Sequence, residues 1–222
     1  MGILLRNWWW WTADYAYALI WQVLGTLGRP AAAYARGTRR PIVIIPGIYE
    51  SWQFMRPLVE RLHDAGHPVH VVAGLKRNHR PVAHAAQVVA DYIELHGLDD
   101  VLIVAHSKGG MIGKLLMSRL DPEARVDRMV AICSPFSGSW YANWMWLPSL
   151  RSFSPRDATT VALGLELGVN ERITSIFGLF DPHIPGGSEL QGARNERVQT
   201  GGHFRILGDR RVVRLVLAEA DR

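Results

Sequence analysis

Short unbroken apolar runs alternate with longer stretches in which apolar residues return every three or four positions. Ile42 to Ile45 is continuous and β-branched, the pattern of a strand buried on both faces. Pro46-Gly47 closes it. Phe54 to Ala65 sets Met55, Leu58, Val59 and Leu62 at helical spacing, with Gly66 as the stop. Val69 to Val72 predicts a second strand, and Gly74 to Pro81 a polar loop. Pro81 opens a helix that runs to about His96, with Gly97 as its C-cap. Val101 to Ala105 and Met129 to Cys133 predict the third and fourth strands, with a helix over Met111 to Leu120 between them. Ser134 to Pro155 reads as a long loop rich in Ser, Pro and Trp. Ala158 to Leu167 predicts a helix, Ile173 to Leu179 and Val198 to Thr200 the last strands, and Val212 to Ala220 a closing helix. This alternation predicts right-handed βαβ units. The fold class is α/β, a mostly parallel central sheet with helices on both faces. Active residues in such sheets gather at the carboxyl ends of the strands. No internal repeat is present.

The first 40 residues differ. Trp8 to Leu27 is about 20 residues long, enough to cross a bilayer. Asp14 and Gln22 interrupt it, however. On a helical wheel Thr12, Asp14, Gln22, Thr26 and Arg29 fall within about half the circumference. A helix lying in a membrane interface, or packed on its own domain, is the favoured reading over a span. Ala33-Tyr34-Ala35 resembles a leader cleavage site, but Asp14 and a single preceding basic residue argue against a leader. The expected organisation is a Trp-rich helical segment and linker over residues 1–40. A catalytic domain follows over residues 41–222, with a small lid-like loop at 134–155.

At 222 residues the chain can form one substantial core and is short for two domains. One cysteine excludes an intramolecular disulfide and a Cys-based zinc site. The net charge of +5 favours an anionic surface. The basic residues are scattered, so a lipid surface is favoured and no nucleic-acid partner is expected. Nine Trp are more than a small core needs, with Trp8 to Trp11 consecutive and Trp140, Trp144 and Trp146 clustered. Membrane-associated or cytoplasmic placement is favoured over secretion.

The strongest chemical signal is Val101-Leu-Ile-Val-Ala-His106-Ser107-Lys-Gly-Gly-Met111. A buried strand runs straight into Ser107 and then into a helix, the context of a nucleophile elbow. Ala105 and Gly109 supply the small neighbours that such a turn needs, with Ala in place of the usual first Gly. Gly110 and Gly113 would let the helix lie close to the sheet.

Residues 41–210 resemble the α/β-hydrolase superfamily, in particular its small lipases and esterases. The resemblance rests on "VLIVAHSKGGMIGKLL", "IVIIPGIYESWQFMRPLVERLHDAGHPVHVV", "ITSIFGLFDPHIP" and "VQTGGHFRIL". It implies the chain order serine, acid, histidine. Downstream of Ser107 only His183 and His203 are available, and His203, in a Gly201-Gly202 turn after the last strand, is favoured. Asp181, just beyond a strand end, is favoured as the acid over Asp157, Glu166, Glu171 and Glu189. The oxyanion donors implied are the backbone N–H groups of Lys108 and Ile48, with Tyr49 as the alternative to Ile48. A Pro-Gly stands where a His-Gly often begins this loop. No metal or organic cofactor is implied.

Tyr49, Phe136, Trp140 and Trp144 are the candidate substrate-binding residues, an apolar rim suited to an acyl chain. The Lys108 side chain is read as either facing the cleft mouth or a plain solvent-facing helix-start residue. The activity implied is a serine carboxylester hydrolase, lipase- or esterase-like, acting on apolar esters. The alternatives are an acyltransferase with the same triad, or a non-catalytic protein of this fold that binds lipid or a partner.

Overall fold

The computed structural model describes residues 8–24, 27 and 29–222. In chain order the elements are α1 (Trp8–Leu24), β1 (Ile42–Ile45), α2 (Arg56–Asp64), β2 (Val69–Val71), α3 (Val82–Leu95) and β3 (Val101–His106). Then come α4 (Lys108–Leu115), β4 (Val126–Ile132), α5 (Pro148–Arg151), α6 (Ala158–Leu165), β5 (Ile173–Phe180), β6 (Arg194–Gly201) and α7 (Arg210–Ala220). The six strands form one parallel sheet in the order β2-β1-β3-β4-β5-β6.

The continuous apolar runs are strands because both of their faces are covered. Val43, Ile45, Ile103, Ala105, Met129 and Ala131 point into one core, closed by Val82, Ala85, Ala86 and Val89 of α3 and Met111 and Ile112 of α4. Ile42, Ile44, Leu102, Val104, Val130 and Ile132 point into the other, closed by Leu58, Val59 and Leu62 of α2 and Val212 and Val216 of α7. The period-two alternation of strand side chains divides them between these two cores.

Several boundaries differ from the pattern-based expectation, among them the helix expected over Met111 to Leu120, which is Lys108–Leu115 followed by a π turn, Leu116–Leu120. β6 starts four residues before Val198, because it is an edge strand whose Arg194 and Asn195 face solvent, so no apolar run marks it. β4 starts three residues before Met129, with Asp127 and Arg128 paired to each other at 2.5 Å on its half-buried start. The segment 134–155 is not all loop; it contains a 3-10 turn, Trp140–Trp144, and α5. Expected helix 8–27 is observed as Trp8–Leu24, and Thr26 of its expected polar face lies outside the described residues.

Strand order reverses at β1: the chain leaves β1 for β2 on one side and then returns to β3 on the other. A crevice opens above the carboxyl ends of two strands whose connections diverge in this way. The loop after β1 and the turn after β3 therefore meet at the place where this sheet leaves room for a ligand.

Candidate active site

Ser107 follows the last residue of β3 and precedes the first residue of α4. Its backbone is forced to φ 52° and ψ −120°, a conformation L-residues avoid and adopt only when the surroundings over-determine it. Two fixed elements do so here: buried β3 ends at His106, and α4 must return across the sheet. At Gly109 any Cβ would come within 2.2 Å of the Ile45 carbonyl oxygen, so only glycine lets α4 leave the turn this closely. The result is a serine hydroxyl raised above the sheet at the crevice.

Asp181 and His203 arrive from the other side of β4. Asp181 follows β5 directly, and His203 lies two residues beyond β6. The His203 Nε2 stands 3.0 Å from Ser107 Oγ, and its Nδ1 stands 2.8 Å from Asp181 Oδ2. The other Asp181 oxygen accepts from the backbone N–H groups of His183 (2.8 Å) and Ile184 (3.0 Å). Burial alone would push the Asp181 carboxyl up, but the His203 charge and these hydrogen bonds win and lower it to about 2. Burial likewise opposes a charged His203 ring, yet Asp181, with Glu50 and Asp14 behind it, raises its pKa above the ordinary value. His183 goes the other way, to about 4, because it is buried and faces His203. That histidine packs on His203 with ring centres 4.7 Å apart and does not reach Ser107 through a hydrogen bond.

A second buried pair braces the first. His106 Nδ1 lies 2.8 Å from Glu50 Oε2, and His106 Nε2 donates to the His203 carbonyl oxygen at 2.9 Å. Glu50 also accepts from the Gly47 N–H at 2.9 Å. Burial pushes the Glu50 carboxyl up, but the charge of His106 and its hydrogen bond hold it below the usual range. This brace takes up the N–H of Gly47 and leaves the next residue, Ile48, on the cavity wall. Lys108 N–H stands in the first turn of α4, where backbone donors have no intrahelical acceptor. The Lys108 side chain is buried away from the cleft mouth. Its Nζ donates to the carbonyls of Asn78 (2.8 Å) and Arg80, and desolvation lowers its pKa to about 8.

Ser107 and His203 open into a cavity of about 630 Å³. Its walls are Ile48 and Tyr49 from the β1 loop, Trp11 and Tyr15 from α1, and Tyr141, Met145, Leu150 and Phe153 from the segment after β4. Tyr49, a candidate substrate-binding residue, lies on this wall, and its hydroxyl meets Ser149 Oγ at 2.7 Å across the cleft. Phe136, Trp140 and Trp144 are not on this wall. Phe136 is buried in the core beneath it, with the Lys114 ammonium 6.0 Å from its ring centre. Trp140 packs on the outside of Tyr141, ring centres 4.1 Å apart. Trp144 is 77% exposed. The 3-10 turn over Trp140–Trp144 causes this correction: it rotates successive side chains to different sides, so the wall residue is Tyr141.

The helix of the first 40 residues supplies wall residues that pattern reading missed. Trp11 and Tyr15 are four apart, on one face of α1, and stack at 5.6 Å. Tyr15 OH also lies 3.3 Å from His183 Nε2. The available signal was Asp14: a lone acid in an apolar helix, read as part of a polar face, is fully buried against the His203 loop.

Among the described residues two groups of ligand-type atoms lie within 4.8 Å of one another: Glu50, His106 and His203, and Cys133, Asp181 and His203. The ring nitrogens in both are engaged in the hydrogen bonds just described. Cys133, buried beside Asp181, has its thiol pKa pushed well up by burial and by that carboxylate.

A family model described as alpha/beta hydrolase fold matches residues 40–169. The chain is 28% identical over 151 residues, 62% of its length and 49% of the relative's, to the lysosomal thioesterase PPT2 of Rattus norvegicus. With the PPT2 of Homo sapiens the identity is 26% over 134 residues, 55% of this chain and 44% of that one. The chain spans about half the length of the curated relatives it matches. Among solved structures, the mature Bacillus licheniformis lipase BlEst2 superimposes with a TM-score of 0.64 at 15% identity, covering 83% of this chain and 92% of that one. A bromoperoxidase from Bacillus anthracis gives 0.59 at 13% identity, covering 84% and 94%. At these identities the two structures share the fold.

Proposed function

Because the chain belongs to the alpha/beta hydrolase fold family, we propose that it is a serine hydrolase that cleaves apolar acyl esters through an acyl-enzyme. The observation that carries this reading is the continuous hydrogen-bonded line from Ser107 through His203 to Asp181, opening into an apolar cavity. A serine hydroxyl attacks only when a base takes its proton, and His203 Nε2 is at the right distance to do so. Asp181 holds the ring and stabilises its charged form. The backbone N–H groups of Ile48 and Lys108 would receive the oxyanion. His203 then protonates the leaving group. Water, deprotonated by the same ring, releases the acid.

The leaving group is the open choice, between an alcohol and a thiol. A thioester is supported by the similarity to the PPT2 thioesterases, and a carboxylester by the apolar walls alone. A fluorophosphonate probe tests the serine without a known substrate: labelling is expected in the native chain and lost in Ser107→Ala. Paired p-nitrophenyl esters and acyl thioesters of matched chain length then choose the leaving group. No turnover of either above the Ser107→Ala background would sink the reading.

The same cavity mouth is proposed to meet an anionic lipid surface. Trp8, Trp9, Leu19, Ile20 and Val23 on α1 are exposed, as are Trp144, Trp146 and Leu147 on the facing segment. Aromatic side chains favour that depth, and the net charge of +5 favours anionic headgroups. Among the described residues no helix is long and apolar enough to cross a membrane.

A further inference from the structure

We propose that Asp14, on the N-terminal helix, is a positioning residue for His203, holding the backbone from which the imidazole reaches Ser107. The proposal rests on the serine–histidine reading above and deepens it. Asp14 is 0% exposed. Its Oδ2 accepts from the His203 N–H at 2.9 Å. Its Oδ1 accepts from the N–H groups of Phe204 (2.7 Å) and Arg205 (2.8 Å). Three consecutive backbone donors thus converge on one carboxylate brought from the far end of the chain. A carboxylate buried in an apolar helix is costly unless it is hydrogen-bonded in this way.

The fit is specific to this loop. Gly202 has φ +109°, and a Cβ there would stand 2.5 Å from Asp14 Oδ1. The contacts continue along one face of the helix at positions i−4 and i+3. Trp10 lies against Gly201 with its ring 4.7 Å from the Arg205 guanidinium carbon, and Tyr17 lies against Gly208 and donates to the Phe54 carbonyl at 3.3 Å. The peptide of His203 is therefore gripped twice, at its N–H by Asp14 and at its carbonyl by His106. With both ends fixed, the side chain starts from a set place, and its contacts with Asp181 and Ser107 then orient the ring. Misplacement of a reacting group by about 1 Å costs on the order of 10²-fold in rate.

The charge acts as well as the geometry. Asp181, Glu50, His106, His183, Cys133 and Asp14 face His203 from the elements packed on it; burial keeps the Cys133 thiol protonated, and the three carboxylates favour the imidazolium. Removing one of them lowers the pH at which His203 titrates.

Asp14→Asn keeps the shape and removes the charge, while Asp14→Ser keeps a single acceptor. Both are measured by fluorophosphonate labelling rate, by kcat and KM on whichever ester the native chain turns over, and by titration of the His203 ring in nuclear magnetic resonance. Expected are a fall of roughly 10–100-fold in labelling rate and kcat with KM within about three-fold, and a His203 titration midpoint moved to lower pH. Loss of labelling only in proportion to the unfolded fraction, with the midpoint unmoved, would overturn the proposal. So would a folded Asp14→Asn chain that labels within about two-fold of the native rate. A native chain that takes no probe at Ser107 sinks the hydrolase reading instead; the positioning role is then decided by the His203 titration alone.

Discussion

The floor and the walls of the cavity are built on opposite principles. The floor, comprising Ser107, His203, Asp181 and the Glu50–His106 brace, is buried and joined by hydrogen bonds of 2.8–3.0 Å. The walls, α1 and the segment from Tyr141 to Phe153, are mostly apolar side chains, with α1 and the tip of the segment exposed on their outer side. In the floor both imidazoles are hydrogen-bonded through both ring nitrogens, so small displacements are costly and geometry is fixed. In the walls contact is non-directional, so residues can be exchanged with graded losses. Such a division fits the proposed reading, one chemistry performed on acyl groups of varied shape. Asp14 links the two, because it sits on a wall helix and bonds directly to the backbone of His203.

Variants can test how separate the two regions are. The largest effect belongs to the floor: Ser107→Ala is expected to lower kcat by roughly 10⁴–10⁶-fold with unchanged thermal stability. A single substitution in the walls that did as much would erase the distinction.

Next comes Glu50→Ala. It leaves His106 facing a void in a buried site, at a cost of about 3–5 kcal/mol. For a chain of this length that lowers Tm by roughly 6–20 °C in a thermal melt. A Tm within a degree or two of the native value would show that the brace is dispensable.

The pH profile probes the same region without mutation. In the proposed mechanism His203 must be neutral to accept the Ser107 proton. Activity should therefore fall as pH drops through its pKa, which lies above the usual 6.5 or so. In urea melts the stability from Asp181 is full above about pH 3.9 and lost as pH falls towards about 2. The stability from the raised His203 is full below about pH 6.5 and lost as pH rises through its folded value. An acid limb of the activity profile below pH 6 would contradict the assigned charge environment.

The walls predict graded effects. Leu150→Ala or Met145→Ala should cut kcat/KM for long acyl chains by roughly ten-fold and leave acetyl substrates within about two-fold. The smallest effect on chemistry belongs to the outer face. Changing Trp8, Trp9 and Trp146 to Ser should weaken co-sedimentation with anionic vesicles, while hydrolysis of a short dispersed ester stays within about two-fold. Equal loss of both would mean that these residues shape the cavity rather than a docking face.

The contrast also explains what could be read from the chain. The succession of strands and helices and the elbow at Ser107 were legible because each is a local event, while Asp181 and His203 were favoured through the chain order that the resemblance implies. An unbroken β-branched run marks a doubly covered strand, and a polar residue at its carboxyl end marks the crevice. The amino acid sequence by itself therefore determined the sheet, its helices and the residues that gather at its carboxyl edge. It did not determine what closes the cavity. Whether Trp11 or Trp140 faces the cavity, and whether Asp14 meets water or three backbone N–H groups, depends on how separate segments dock. Packing between distant segments leaves no periodic signature in either of them, so only the tertiary structure decided it.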